Sequence, residues 1–530
     1  MPDERVEVRA RVFGHLAGMV LAPVVKALWD RRVFDLFDGS SAQVTLDQIT
    51  EATRGNRGYL HVALRLLASY GWLKQDGSSY SLTVEGETAV QLAPRLYAEA
   101  ISFLPIAVFL EDFLLGKSHG AVPPALQIAV ARVKECWGMG PAEESVHGQV
   151  RRQLDGVVIG PAMVALARSG IFEEIGSSAK DPKSIAANQS CLNCLFDLLA
   201  TQGWIVREQN RVRLTACGIY AAQISPAYGV TASYLPLFTV VSTLLFGNAR
   251  ISRIDENGIE LFVNRAMNVW GSGGAHKTYF KKIDDIIVEI FNRPLEKQPG
   301  GICDMGCGDG TLLEHLYSVV KNQTARGRVL DQHPLMLVGA DFNKVARRVS
   351  TQTLRRAKIP SFHVIPGDIN RPAQLAGDLE KLGHDIHDLL HVRSFLDHNR
   401  PYVPPANYVS GTRQARSSGA FAHLGDEIAA DVLEENLVRH LRRWSPYVGR
   451  FGLLLLELHT LPPDMTAMNL DKTPAVAYDG THGFSDQYLV ELPVFLDCAR
   501  EAGLVADARF QAKFPPSELA TISVNYFTAP

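Results

Sequence analysis

GGICDMGCGDGTLLEHLY, residues 300–317, carries the fold. Ile302, Cys303 and Asp304 end a short apolar strand, and Gly306, Gly308 and Gly310 turn the chain into a helix bearing Leu312, Leu313 and Leu316. Glycine admits positive φ and lets a ligand approach the backbone closely, so strand, glycine turn and helix together predict a nucleotide-type binding loop. Alone the motif is shared by several nucleotide folds.

The downstream spacing narrows it. LMLVGADFN (335–343) supplies a second strand ending at Asp341, placed to accept hydrogen bonds from ribose hydroxyls. FHVIPGDIN (362–370) supplies a third, ending near Asp368, where an adenine amino group would lie. HDIHDLLHVRSFLDH (384–398) gives a fourth, FGLLLLELHT (451–460) a fifth, and ISVNYFTAP (522–530) reads as a last edge strand. Alternating strands and helices imply a doubly wound sheet with ligands at the carboxyl ends of its strands. DMGCGDG departs from dinucleotide GxGxxG spacing. The order of motifs resembles class I methyltransferases dependent on S-adenosyl-L-methionine (SAM). That resemblance implies a Rossmann-like α/β domain over 295–530. It also implies a SAM site formed by Asp304, Gly306, Gly308, Gly310, Asp341, Phe342, Asp368 and Ile369.

The first half repeats itself. LAPVVKALWDRRVFDLF (21–37) matches IGPAMVALARSGIFEEI (159–175), LLASYGWL (66–73) matches LLATQGWI (198–205), and YSLTVEG (80–86) matches VRLTACG (212–218). Three blocks in one order mark a duplication. Each copy reads as three helices and a β-wing, a winged-helix plan. The expected organisation is a mostly α region with repeat 1 at 1–95, a helical linker at 96–150, repeat 2 at 151–225 and a helical linker at 226–294. In that last linker VWGSGGAHKTYF (269–280) reads as a lid or an interdomain loop. The third helices, 57–71 and 193–203, are apolar rather than basic, which favours packing over DNA reading.

Composition sets the limits. With 530 residues, 46% hydrophobic and 21% charged, several globular domains are expected. A formal net charge of −3 argues against nucleic acid as the partner. The sequence shows no secretory signal and no continuous apolar run of membrane-spanning length, so a cytoplasmic protein with no membrane partner is expected. Seven cysteines make no disulfide framework, and Cys191 and Cys194 read as small residues on a packed helix.

The acceptor region lies after the fourth strand. RSFLDHNRPY (393–402) places Asp397 beside His398, with Arg393 and Arg400 nearby to meet an anionic acceptor or to pack. Small-molecule O-methyltransferases with winged-helix domains carry a His–Asp pair here whose histidine is the base; this chain has the reverse order. Imidazole suits that role near neutral pH. His459 follows the fifth strand, and AYDGTHGFSDQYLVE (477–491) adds Asp479, His482, Asp486 and Gln487. Histidine with carboxylate or amide ligands suits Fe or Mn, whereas helix caps and single backbone hydrogen bonds explain the same residues without metal.

With DMGCGDG, SFLDHNRPY and THGFSDQY, nearly the whole chain resembles the methyltransferases of polyketide synthase loading modules of the apratoxin and gephyronic acid type. That resemblance implies biosynthetic C-methylation of a malonyl-type unit on an acyl carrier protein, assisted by Fe(II)/Fe(III) or Mn(II). His398 and Gln487 would be the first metal ligands, with His482 and Asp397 as substitutes. Two alternatives stand beside it: a metal-independent O-methyltransferase with His398 or His459 as base, and a winged-helix regulator that senses SAM.

Overall fold

The computed structural model describes residues 2–37, 43–117, 124–138, 145–176, 178–185, 187–209, 211–256 and 259–529, with the side chains of 2, 3 and 274–278 outside that set. By internal contact the chain gathers into two units. The first comprises Met1–His276, Ala420–Glu427 and Pro462–Asp486; the second comprises Lys277–Gly419, Ile428–Leu461 and Gln487–Pro530.

In the first unit the two repeats follow a shared order of elements. The first copy runs α1 (Pro2–Asp30), β1 (Val44–Thr45), α2 (Leu46–Thr53), α3 (Arg57–Ser69), β2 (Leu73–Asp76) and β3 (Ser79–Leu82), its strands ordered β1-β3-β2. The second runs α4 (Val146–Arg168), α5 (Gln189–Thr201), β4 (Ile205–Glu208) and β5 (Arg211–Leu214). The copies agree down to single hydrogen bonds. The hydroxyl of Thr83 donates to the carbonyl of Gly71 at 2.7 Å, and that of Thr215 donates to the carbonyl of Gly203 at 2.8 Å. Gly71 and Gly203 both hold positive φ, the left-handed turn that ends the third helix. They differ at the second helix. Thr45 and Gln48 form a reciprocal capping box on α2, whereas the second copy keeps only a 3₁₀ turn, Pro182–Ser184, capped by Asp181.

Helix α1 is the axis of this unit. The stretch Glu4–Asp30 is long and apolar enough to cross a membrane, which corrects the expectation that no such segment exists, and 83% of its most apolar 18-residue window is buried inside the fold. The burial comes from α4. A Cβ on Gly18 would strike the backbone of Gln153, and one on Gly156 would strike that of His15, so the two helices cross backbone to backbone. Helices α3 and α5 are buried along their apolar faces. Cys191 is buried on α5, and burial pushes its thiol up to about 12, the behaviour of a packed residue.

The segment read as a lid or loop is helical: 269–280 lies inside α6 (Arg265–Phe291). Gly271 serves packing, since a Cβ there would meet the backbone nitrogen of Val230 at 2.6 Å. The apolar periodicity on both sides outweighs the helix cost of glycine, roughly 1 kcal/mol each.

The second unit is a doubly wound sheet. Its elements are β6 (Gly301–Met305), α7 (Thr311–Gln323), β7 (Met336–Asp341), α8 (Lys344–Arg356), β8 (Phe362–Pro366), α9 (Pro372–Lys381), β9 (Leu389–Ser394), α10 (Ala430–Val448), β10 (Leu453–Leu458), α11 (Leu492–Glu501), β11 (Val505–Ala506), β12 (Ala512–Phe514) and β13 (Ile522–Thr528). The strand order is β11-β13-β10-β9-β6-β7-β8, with β12 also on β13. Strands β6 to β10 are parallel, and β13 joins β10 antiparallel. The last strand is therefore interior, correcting its reading as an edge. It is buried along its length, as a strand paired on both sides must be. Every residue of β6 and of β10 is buried. This explains their unbroken apolar runs and makes the charges at Asp304 and Glu457 stand out.

Candidate active site

The donor side forms where β6 and β7 end. Gly306 (φ +81°) donates its N–H to the carbonyl of Ala340 at 2.7 Å, and a Cβ on it would lie 2.8 Å from Leu396. Gly308 (φ +53°) faces open space, with nothing within 4 Å of a Cβ built there. Gly310 (φ +81°) starts α7 against Ser350. Asp341 braces this loop: one carboxylate oxygen accepts the N–H of Gly308 at 3.0 Å and the other that of Asn343 at 2.7 Å. The expectation gave Asp341 only a ribose contact; it also holds the glycine turn.

Asp304 is 2% exposed, and its Oδ1 has no hydrogen-bond partner. Burial, with the negative charges of Asp341 and Asp309 behind it, pushes its carboxyl up to about 8. A buried carboxyl with an open oxygen beside the glycine loop suits the ammonium of a methionyl group, so these residues fit SAM. Phe342, 81% exposed, stands just beyond β7, where an aromatic face is available to a base. Asp368 accepts the N–H of Asn370 at 2.8 Å. Ile369 is buried, and its carbonyl accepts the indole N–H of Trp444 at 2.7 Å.

A second polar cluster forms where β9 and β10 end. After β9 the chain passes through Phe395 at φ +53°, a conformation rare for a bulky side chain and held by its N–H donating to Leu456 at 2.8 Å. This turn delivers Asp397 and His398 onto Glu457 of β10. Glu457 is 1% exposed and its carboxylate is surrounded by donors. Oε2 accepts the N–H groups of Asp397 (2.8 Å) and His398 (3.2 Å). Oε1 accepts that of Leu458 (2.7 Å) and lies 2.5 Å from His398 Nδ1. The contact orients the imidazole of His398, with Nδ1 on the Glu457 carboxylate and Nε2 turned the other way.

Glu457 was missed in the sequence. Its signal is an acidic residue inside LLLLELHT: a charge in a fully buried strand is seldom present without a partner.

Asp397 turns away from His398. Its Oδ1 meets Arg393 at 2.7 Å and His440 Nε2 at 2.9 Å. Burial alone would raise this carboxyl, but Arg393, with His440 and Arg400, outweighs it and holds the group well below the usual range. Arg393 stacks on Trp444 at 4.1 Å, and Arg400 binds Asn436 (2.8 Å) and the carbonyl of Asp397 (2.8 Å). Both arginines are buried, so they fasten the turn rather than wait at the surface for an anion. Asp397 is a structural anion, not a catalytic group, which corrects its assignment.

His459 is also corrected. It is fully buried, with Nε2 2.7 Å from Ser523 Oγ and Nδ1 3.3 Å from the carbonyl of Val490. Burial lowers it to about 4. Both ring nitrogens are committed to packing, so neither is offered to a substrate proton.

Among the described residues no group of three or more His, Cys, Asp or Glu side chains is placed to hold an ion. His398 and Gln487 belong to the second unit, and the N–H of Tyr488, next to Gln487, donates to the carbonyl of His398 at 2.8 Å. His482 belongs to the first unit, where its Nδ1 lies 2.7 Å from the carbonyl of Tyr478. Asp479 pairs with Arg65 there, and Asp486 with Tyr59 (2.7 Å) and Arg253 (3.0 Å). With Nδ1 of His398 on Glu457, an ion here would be met by Nε2 of His398 together with Gln487, the orientation in which a carboxylate holds a metal-binding histidine.

Residues 260–525 match the AprA MT2-like domain, half of the chain; residues 8–75 match the AprA N-terminal domain and 155–248 the AprA winged helix domain. No match was found among curated proteins. Solved structures similar to the chain include an O-methyltransferase family protein from Burkholderia thailandensis, at 13% identity over 70% of this chain and 94% of that one, with a TM-score of 0.41. The mitomycin 7-O-methyltransferase MmcR is similar at 13% identity over 73% and 99%, TM-score 0.42. An O-methyltransferase family 2 protein from Planctomyces limnophilus DSM 3776 is similar at 9% identity over 98% and 96%, TM-score 0.40.

Proposed function

We propose, from the premise that the chain belongs to the AprA MT2-like family and is a class I SAM-dependent methyltransferase, that it methylates the α-carbon of a malonyl-type acyl group on an acyl carrier protein in polyketide biosynthesis, with His398 as base. The acceptor rests on the family; the base rests on one observation, the buried 2.5 Å pair of His398 and Glu457 at the carboxyl end of the sheet. SAM supplies an electrophilic methyl group. Asp304 and the Gly306–Gly310 loop orient the donor, with Asp304 ionised against its ammonium. Nε2 of His398 takes the acceptor's proton while Glu457 stabilises the imidazolium, the division of labour of a general base and its orienting anion. The C–H bond breaks, its electron pair forms the new C–CH₃ bond, and the sulfonium leaves as a neutral thioether. An ion held by His398 and Gln487 would supply Lewis-acid polarisation of the acceptor's carbonyls, and no step is routed through it.

The same pair favours a second reading, methylation of an acidic hydroxyl, because imidazole is closer in basicity to a phenolate than to a carbon acid. Intact-mass measurement with SAM separates the two, using malonyl-carrier protein and a panel of phenols with and without EDTA. A gain of methyl mass on the carrier, insensitive to EDTA and lost in His398→Gln, supports carbon methylation with a histidine base. Gain on phenols alone transfers the reading to oxygen. Full activity in His398→Gln would remove the base, and an EDTA-sensitive gain would show that a metal takes part.

A further inference from the structure

The crossing of α1 and α4 opens a cavity of about 330 Å³ within the first unit, at the small end of the range for ligand sites. The tight approach at Gly18 and Gly156 sets His15 and Asp155 side by side at its floor, and Gln202, next after α5, completes the floor.

The polar groups at this floor are unevenly satisfied. Asp155 accepts the indole N–H of Trp137 (3.0 Å) and the amide N–H of Gln202 (3.2 Å). His15 lies 2.7 Å from the hydroxyl of Tyr228, a fully buried phenol that remains protonated. That hydroxyl donates to Nδ1, so Nε2 of His15 carries the hydrogen and is a donor. It has no partner, although His15 is 0% exposed. Gln202 has its nitrogen committed to the Asp155 carboxylate and the Thr201 hydroxyl, which fixes its Oε1 as an acceptor. That oxygen has no partner either, at 4% exposure. Native folds seldom leave two desolvated polar atoms open in one place without use. The lining meets most of its own charge, Arg11 pairing with Glu7 (2.6 Å) and Arg152 with Asp471 (3.1 Å), so the cavity does not call for a charged ligand.

One open N–H donor and one open carbonyl acceptor at the floor of this cavity are the complement of a secondary amide. We propose that this cavity binds a small neutral amide, whose carbonyl accepts from His15 Nε2 and whose N–H donates to Gln202 Oε1. Peptide backbone and the pantetheine arm of a carrier both present that group.

The full chain should be titrated with N-acetylglycine N-methylamide, with pantetheine, and with 1,4-butanediol as a hydroxyl-only control, by calorimetry and saturation-transfer NMR. Saturable binding of an amide probe with Kd below about 1 mM is expected, with none for the diol. His15→Phe and Gln202→Met keep volume and delete the open atoms. Each should weaken binding at least tenfold while SAM affinity and Tm are kept or Tm rises. The tighter of the two amide probes identifies the source. No saturable amide binding, equal binding by the diol, or unchanged binding in both variants overturns the proposal in favour of a cavity filled by water only.

Discussion

The two ends of the sheet use different materials. Where β6 and β7 end, the chain builds a loop from backbone: three glycines at positive φ, open space beside Gly308, and Asp341 bracing the loop through peptide N–H groups. Where β9 and β10 end, it prepares a reactive site from buried charge: Glu457 on His398, and Asp397 locked between Arg393 and His440. Backbone geometry tolerates no added atom but carries little electrostatic cost. Buried charges tolerate little loss of a partner, because the remaining ion is left desolvated. Damage to the first end should appear in cofactor affinity, and damage to the second in rate and stability.

The sharpest separation comes from Gly306→Val against His398→Gln. Valine at φ +81° and against Leu396 should abolish measurable SAM binding by calorimetry; normal binding would misplace the donor site. His398→Gln, and Glu457→Gln with it, should lower kcat by about 10²- to 10⁴-fold and leave SAM affinity within about twofold. A matching loss of SAM affinity would erase the division between the two ends.

Asp397→Asn should cost about 3–5 kcal/mol of stability in denaturant unfolding, because Arg393 is left buried without its anion. The sign of its pH dependence follows from the depressed folded pKa. The stabilisation is present above the unfolded value and is lost as pH falls through the folded one, so wild type should lose this advantage over the variant only in strong acid. A cost below about 1 kcal/mol would show that the charge is better solvated than its burial indicates.

The smallest effect tests Asp304. Without ligand its carboxyl is pushed up to about 8, and only the ionised form pairs with an ammonium. Binding below that pH must therefore expel a proton, and SAM affinity should rise with pH, by up to about tenfold per unit, and level off above about 8. Asp304→Asn should flatten the profile. A flat wild-type profile would mean that another group meets the ammonium.

The sequence by itself determined whatever depends on local backbone chemistry and on repetition. GGICDMGCGDG demanded a strand, a positive-φ turn and a helix, since only glycine is at ease there. Asp341 and Asp368 were legible because strand ends are local events. The duplication was legible because the pairs Gly71 and Gly203, Thr83 and Thr215 do the same work in each copy. Tertiary structure alone decided the chemistry of the acceptor end. Glu457 stands 59 residues from His398 and reaches it only because β10 pairs with β9. The adjacent Asp397 faces the other way, into Arg393, and His459, two residues from Glu457, turns to Ser523. Asp397 and His398 diverge within one tight turn and His459 lies past the end of β10, so adjacency in sequence names candidates while the tertiary path selects among them. The same reason governs Asp479, His482 and Asp486, whose side chains are committed to partners in the first unit.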